Sequence, residues 1–231
     1  MKLIDIQAQI EDELTWRVNE IRFLRNQLGL LRSDSEKMVY RKALVVMLYS
    51  HFEGFARTAF LIYVKSINQE NLPRSVASDF IVAASLADVF KAYEDPQRKC
   101  SIFKRSLPND ASIHEFFRQV ELVMGLNDLW KEKVDIPEDV VNVGFNLRPV
   151  VLRKILYRLG FPHDSFQPFE GHIQHLLNLR NSIAHGAAKA GVDQKQYDDI
   201  EKVTLTVMEE LKKIIMDALA SGLFYRVPLT S

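Results

Sequence analysis

The sequence predicts an all-α protein folded as one domain, and three observations support this prediction. The chain has 231 residues but only 9 glycines and 8 prolines, so few positions break a helix. Apolar residues recur at intervals of three and four over long stretches, which is the period of a helix with one buried face. No linker, internal repeat or low-complexity segment divides the chain. We therefore expect a single helical domain over residues 1–231, with extra helices in its middle region.

The first two predicted helices differ in how much of their surface is apolar. The first covers residues 3–31 and carries one apolar stripe, as a surface helix does: Ile6, Ile10, Leu14, Val18, Ile21, Leu24 and Leu28. Residues 33–36 break this pattern and supply an N-cap for the next helix. The second helix, over residues 36–67, is apolar nearly all round. We therefore expect it at the centre of the bundle, covered on several sides.

The middle of the chain is less regular, and we treat residues 87–146 as an insert between the core helices. One helix is predicted over residues 74–90 and another over residues 113–124. Residues 125–146 mix turn-forming and β-branched residues, so no element is assigned there.

Three further core helices are predicted in the last third of the chain. The first covers residues 149–160, with proline at its first position and glycine at its end. The second covers residues 168–186 and the third residues 193–219. The third has a long apolar stripe, which predicts that it packs along the bundle.

Charge and composition exclude several classes of protein. Lys+Arg 30 against Asp+Glu 30 gives a formal net charge of zero, which disfavours broad, nonspecific binding of nucleic acid. Cys100 is the single cysteine, so an internal disulfide and a cysteine-rich zinc site are both excluded. The N-terminus has no signal-peptide core, and no apolar run approaches the ~20 residues of a spanning helix. The sequence therefore predicts a cytoplasmic protein without a membrane partner.

The helix over residues 168–186 departs from a simple packing pattern. Arg180 falls in the middle of its apolar face, and desolvating a guanidinium without a partner is costly. On the opposite side, a narrow polar stripe repeats at steps of four, three and four: Gln174, Asn178, Asn181 and His185. This arrangement makes Arg180, Asn181 and His185 the candidate catalytic residues. Asn178 is a candidate supporting residue.

Glu53, in the apolar second helix, is a candidate partner for Arg180. An isolated carboxylate there would be as costly as an isolated guanidinium, so an ion pair between the two helices is expected. Arg57, one turn after Glu53, is a competing local partner. A purely structural ion pair that locks two helices together would explain the same pattern.

The chain also resembles a known family. The segment Arg180 to Gly186, Arg-Asn-Ser-Ile-Ala-His-Gly, resembles the Arg-Asn-x-x-x-His signature of the HEPN superfamily (higher eukaryotes and prokaryotes nucleotide-binding domains). Two other stretches resemble the RiboL-PSP branch of that superfamily: Ser50 to Phe55, and Asn146 to Pro149 with the helix that follows. The resemblance extends from the second helix to the last.

The resemblance implies a HEPN-type helical bundle that forms a homodimer and brings two Arg-x4-His motifs into one cleft. It further implies a metal-independent endoribonuclease without cofactors, with RNA as its substrate. A toxin–antitoxin or defence context is implied as well, with an antitoxin protein as a partner. The alternative is a catalytically inactive module of the same fold that binds a nucleotide or a partner protein.

The residues of the signature suit this chemistry. Histidine, with an ordinary pKa of ~6.5, can transfer protons at the attacking 2′-hydroxyl and the leaving 5′-oxygen. The planar fork of arginine matches phosphate oxygens. On an ideal helix Arg180 and His185 point ~140° apart, so one chain cannot readily aim both at one phosphate unless Gly186 lets the last turn unwind. A symmetric dimer supplies an arginine and a histidine from different chains to one cleft.

A metal site at His172 and His175 is disfavoured because no third ligand follows at a suitable spacing.

Overall fold

The computed structural model describes residues 2–144 and 146–227. Met1, Phe145 and residues 228–231, which the single-domain prediction includes, lie outside the described residues. The described chain forms eight α-helices: α1 Leu3–Asn26, α2 Asp34–Gln69, α3 Asp79–Ser85, α4 Ala87–Glu94, α5 Ala111–Lys131, α6 Pro149–Arg158, α7 Glu170–Ala184 and α8 Gln194–Ser221. It contains no β-strand apart from two isolated bridges. The predicted fold class is confirmed.

The long α2 lies at the centre of the bundle, as its apolar surface predicts. It packs against α1, α7 and α8, and Phe52, Phe55 and Phe60 in its middle are fully buried. Its start is fixed by a capping box, in which Ser33 accepts from the Glu36 N–H and the Glu36 side chain accepts from the Ser33 N–H. One continuous hydrophobic core joins α2 to the helices around it.

The insert is more helical than the sequence predicts. The helix expected over residues 74–90 is divided into α3 and α4, and the one expected over residues 113–124 extends to Ala111–Lys131. Gly125 lies inside this longer helix. A glycine there costs about 1 kcal/mol relative to alanine, a penalty that the neighbouring helical turns outweigh.

The helices of the last third agree with the predicted ones to within three residues at each end. Among residues 2–144 and 146–227, no helix combines the length with the apolar character that crossing a membrane would require.

Candidate functional site

The C-terminal end of α7 presents His185 to solvent. The helix closes with a Schellman motif, in which the Gly186 N–H donates to the Ile183 carbonyl (3.1 Å) and the Ala187 N–H to the Ser182 carbonyl (2.9 Å). Gly186 has a φ of 72°, a left-handed conformation that a residue with a Cβ adopts only at a cost. His185 is exposed at the C-cap, and no hydrogen bond joins its ring to any described residue.

The last turn of α7 does not unwind before His185. The His185 N–H still donates to the Asn181 carbonyl, at 2.9 Å, as in a regular helix. The side chains of Arg180 and His185 therefore leave the helix about 140° apart. The Arg180 side chain then turns back to donate to Asn181, which lies one turn before His185 on the same face of α7.

Arg180 is half-buried and lies on an aromatic ring. Its guanidinium carbon is 4.3 Å from the centre of the Tyr49 ring, and its Nη1 donates to Asn181 Oδ1 at 2.8 Å. Within the described chain, no carboxylate oxygen lies within 4.0 Å of this guanidinium. Arg180 is therefore a cation held in place by a ring and an amide, with its charge not neutralised by an acid.

The ion pair predicted between Glu53 and Arg180 does not form, and neither does the competing pair between Glu53 and Arg57. Glu53 Oε2 instead accepts from the Tyr49 hydroxyl at 2.5 Å and from the Leu147 N–H at 3.1 Å. The Leu147 N–H also lies 2.8 Å from the Tyr49 hydroxyl. Tyr49 thus lies between the two charged groups, because its ring contacts the Arg180 guanidinium and its hydroxyl donates to the Glu53 carboxylate.

Tyr49 is the residue of this site that the sequence interpretation missed. It is fully buried, and burial, with the neighbouring Glu53 carboxylate as a second cause, raises its pKa well above the ordinary value. The phenol therefore stays protonated and donates. One signal was available, since Tyr49 precedes Glu53 by four residues and shares its face of α2. The Leu147 N–H is a backbone group and has no signal in the sequence.

The polar stripe on α7 contains one hydrogen-bonded pair, an asparagine bonded to Arg180, and a histidine whose ring has no hydrogen bond to a described residue. Gln174 Nε2 donates to Asn178 Oδ1 at 2.8 Å, whereas Asn181 is engaged by Arg180. Because the Asn181 oxygen accepts from Arg180, its NH2 group is free to donate to a ligand. Asn178 is exposed and lies one turn before Asn181 and Ser182.

The other histidines lie outside this cluster. His51 points toward α1, where its Nε2 is 3.0 Å from Glu20 Oε2 and its ring meets Trp16 edge-on. Burial lowers the pKa of His51, an effect that Glu20 opposes. His172 and His175 are exposed. Over the described part of the chain, no three His, Cys, Asp or Glu side chains meet where a metal ion could be held.

The loop that follows the motif is fastened to the first turns of α2. Two hydrogen bonds hold Val192: its N–H donates to the Met38 carbonyl at 3.0 Å, and its carbonyl accepts from Arg41 Nη1 at 3.2 Å. Nearer to the motif, the Ala188 carbonyl accepts from Lys42 Nζ at 2.5 Å. Gly191 passes so close to Met38 that a Cβ would lie 2.4 Å from the Met38 Cβ. The end of α7 is therefore held against α2 from both sides of His185.

Comparison with known proteins identifies the family. The model of the family described as RiboL-PSP-HEPN matches residues 12–217, which include α2 to α7 whole and most of α1 and α8. No curated protein and no solved structure matches the chain. Since the family match covers most of the chain and includes the Arg-x4-His segment at the end of α7, the protein belongs to the RiboL-PSP-HEPN family of the HEPN superfamily.

Proposed function

We propose that the protein is a metal-independent endoribonuclease whose active site combines Arg180, Asn181 and His185 from two copies of the chain. The observation that carries this proposal is the Arg180 guanidinium, held 4.3 Å over the Tyr49 ring with no carboxylate beside it. A positioned cation without an acid partner is suited to bind an anion. Membership of the HEPN superfamily favours the phosphodiester of RNA as that anion.

The proposed roles follow from the contacts. Arg180 binds the non-bridging phosphate oxygens through its planar fork and offsets the charge that grows on them as the pentavalent phosphorane forms. The free NH2 group of Asn181 donates to a phosphate or ribose oxygen. Glu53 supports the site indirectly, because it holds the hydroxyl of the tyrosine on which Arg180 lies. Asn178 lines the same face of α7 one turn earlier.

The proposed reaction needs two proton transfers, which His185 of each copy supplies. One imidazole takes the proton of the 2′-hydroxyl as the 2′-oxygen bonds to phosphorus. The other, protonated, gives a proton to the 5′-oxygen as the bond between phosphorus and that oxygen breaks. The products are a 2′,3′-cyclic phosphate and a 5′-hydroxyl. An isologous dimer with α7 beside the two-fold axis would bring both histidines and both arginines to one cleft.

The test is RNA cleavage in the presence of EDTA, with two histidine variants compared. His185→Ala should keep its fold, because the exposed ring touches no described residue through a hydrogen bond, and should lose about 10²–10⁴-fold in rate. His163→Ala removes an exposed histidine outside α7 and is the matched control; it should cleave as the wild type does. An active His185→Ala dimer would contradict the assignment of the proton-transfer group.

The biological setting is proposed as a toxin–antitoxin or defence system in the cytoplasm, with an antitoxin as the protein partner. Many members of the HEPN superfamily are toxins of toxin–antitoxin pairs or act in defence systems, and this is the basis of the proposal. If it is correct, expression of the wild type alone should arrest growth and His185→Ala should not. An adjacent gene that relieves the arrest would identify the antitoxin.

A second candidate function is a catalytically inactive module that binds a nucleotide or a partner protein. The formal net charge of zero favours it, because a strongly basic chain would suit RNA better. The same cleavage assay separates the two candidates: a wild type that binds RNA or a nucleotide and cleaves nothing would favour the module.

A further inference from the structure

A second feature of the surface lies at the opposite end of α6 from the proposed active site. A cavity of about 320 Å³ opens between α3, α4 and the end of α6. Three aromatic side chains line it, and each is substantially exposed: Phe80 is 42%, Phe90 40% and Tyr157 59% exposed. Aromatic rings that line an open cavity and stay partly exposed are available to stack on a ligand.

Two rings of the aromatic wall contact each other. Phe80 and Tyr157 meet edge to face with ring centres 5.3 Å apart. Gly160, with a φ of 80°, ends α6 and lets Phe80 approach so closely that a Cβ would lie 3.3 Å from the Phe80 Cβ. The two rings therefore already contact each other at the mouth of the cavity, and each keeps an exposed surface on which a ligand could stack.

The exposed side of α6 that leads to this cavity carries cations without acid partners. Lys154 and Arg158 are exposed and one turn apart, and within the described chain neither has a carboxylate within 4.0 Å. Their neighbour Arg153 is different, because Glu170 neutralises it. Lys154 lies one turn before the cavity and Arg158 lies at its border. Cations placed beside aromatic rings suit a nucleic-acid strand, in which the cations can bind phosphates and the rings can stack on bases.

The position of α6 connects this cavity to the proposed active site. The residue before its N-cap, Leu147, donates to the Tyr49 hydroxyl at 2.8 Å, and the Tyr49 ring supports Arg180. The cavity borders the other end of the helix, about 15 Å away at 1.5 Å per residue. This is the length of about four stacked nucleotides at 3.4 Å each.

We propose that the cavity formed by Phe80, Phe90 and Tyr157 is a subsite that stacks an unpaired base of single-stranded RNA, with Lys154 and Arg158 binding the adjoining phosphates. The inference rests on the proposed function and adds to it the class of substrate. Bases inside a duplex are paired and stacked on one another, so their faces cannot enter the cavity. The enzyme therefore selects single-stranded segments and holds them several nucleotides from the bond that is cut.

The test is binding of a fluorescent oligouridylate of about 12 nucleotides, measured by anisotropy with the full chain. The strand is 2′-O-methylated throughout, so that it lacks the attacking hydroxyl and binding is measured without cleavage. Tyr157→Ala should weaken binding of this strand about 5- to 150-fold, since stacking is worth about 1–3 kcal/mol per base. Phe116→Ala, at an aromatic residue of α5 that is 60% exposed, is the matched control and should bind as the wild type does.

The charges are tested by the salt dependence of the same binding. Arg158→Ala should reduce the slope of log affinity against log salt by about 0.7, the value of one contact with a single strand. Lys213→Ala, at an exposed lysine of α8, should leave the slope unchanged. Wild-type affinity in Tyr157→Ala, or equal binding of the strand and its blunt duplex by the wild type, would overturn the subsite.

Failure of the subsite is distinguishable from failure of the proposed function. If unmodified RNA is cleaved while Tyr157→Ala keeps the wild-type affinity, the subsite is wrong and the endoribonuclease stands. If the methylated strand binds through Tyr157 but unmodified RNA is not cleaved, the subsite stands and the endoribonuclease is wrong. A wild type that binds no single strand would overturn the subsite and leave the cavity to another ligand, such as a peptide.

Discussion

At the scale of single residues, Tyr49 organises the candidate site. Its ring lies under Arg180 and its hydroxyl lies between Glu53 and the Leu147 N–H. A helical wheel places Arg180 and Glu53 on the faces of their helices that meet, and this much could be predicted. It does not show which side chain lies between them, because that depends on the rotation of α7 relative to α2. The expected ion pair was therefore replaced by a cation on a ring.

The two parts of Tyr49 can be separated by substitution. Tyr49→Phe keeps the ring and loses the hydroxyl, so it should lower the free energy of unfolding by about 1–3 kcal/mol while RNA cleavage stays within a few-fold of wild type. Tyr49→Leu also removes the ring beneath Arg180. The rate of RNA cleavage should fall a further 2- to 30-fold, because a cation–π contact contributes about 0.5–2 kcal/mol. Cleavage rates are compared where both variants are folded, as judged by circular dichroism. Equal rates for the two variants would contradict the role of the ring.

At the scale of elements, the C-terminal end of α7 sets the position of His185. The sequence predicts that this helix ends at a glycine, and the structure confirms Gly186 at the left-handed position. The prediction succeeded because a glycine after an apolar period is a local signal. The length of α5 could not be predicted in the same way, because His114 is its single buried residue and Gly125 lies two turns before its end.

Gly171, inside α7, and Gly186, the residue after its C-cap, should respond oppositely to alanine. Gly186→Ala places a Cβ on a left-handed residue and should lower the free energy of unfolding by about 1–2 kcal/mol. Gly171→Ala lies at an exposed helical position with no atom within 4 Å of the new Cβ, and should raise it by about 0.5–1 kcal/mol. Urea unfolding measures both. A Gly186→Ala protein as stable as Gly171→Ala would show that the helix does not depend on a left-handed glycine after its C-cap.

At the scale of the whole molecule, the central bundle could be predicted because α2 is apolar nearly all round and α8 has a long apolar stripe. The relation between two copies could not be predicted from one chain by period alone. The paired arrangement is a proposal, supported by the family resemblance and by the angle of about 140° at which Arg180 and His185 leave the helix, which the regular hydrogen bond to His185 maintains.

Buried tyrosines should make the whole fold sensitive to alkali. Burial raises the pKa of Tyr49, Tyr63 and Tyr197 above the ordinary value. Above pH ~10 these phenols keep their protons in the folded state while the unfolded chain releases them, so stability falls as the pH rises. Urea unfolding between pH 8 and 11 measures this loss. Stability that stays level above pH 10 would contradict it.

Tyr63→Phe is the matched variant for this measurement. The Tyr63 hydroxyl is buried without a hydrogen-bond partner, so its removal should leave stability at pH 8 unchanged or raise it by about 1 kcal/mol. The same variant should lose less stability than the wild type above pH ~10, since one shifted phenol is gone.

The composite active site is tested most directly by a dimer that contains one wild-type chain and one His185→Ala chain, isolated with two different tags. If both histidines act on one phosphate, this mixed dimer should cleave RNA about 10²–10⁴-fold more slowly than the wild-type dimer. If each chain cleaves independently, the mixed dimer should keep half of the wild-type rate. A mixed dimer at half rate, or a monomer at full rate, would contradict the shared site.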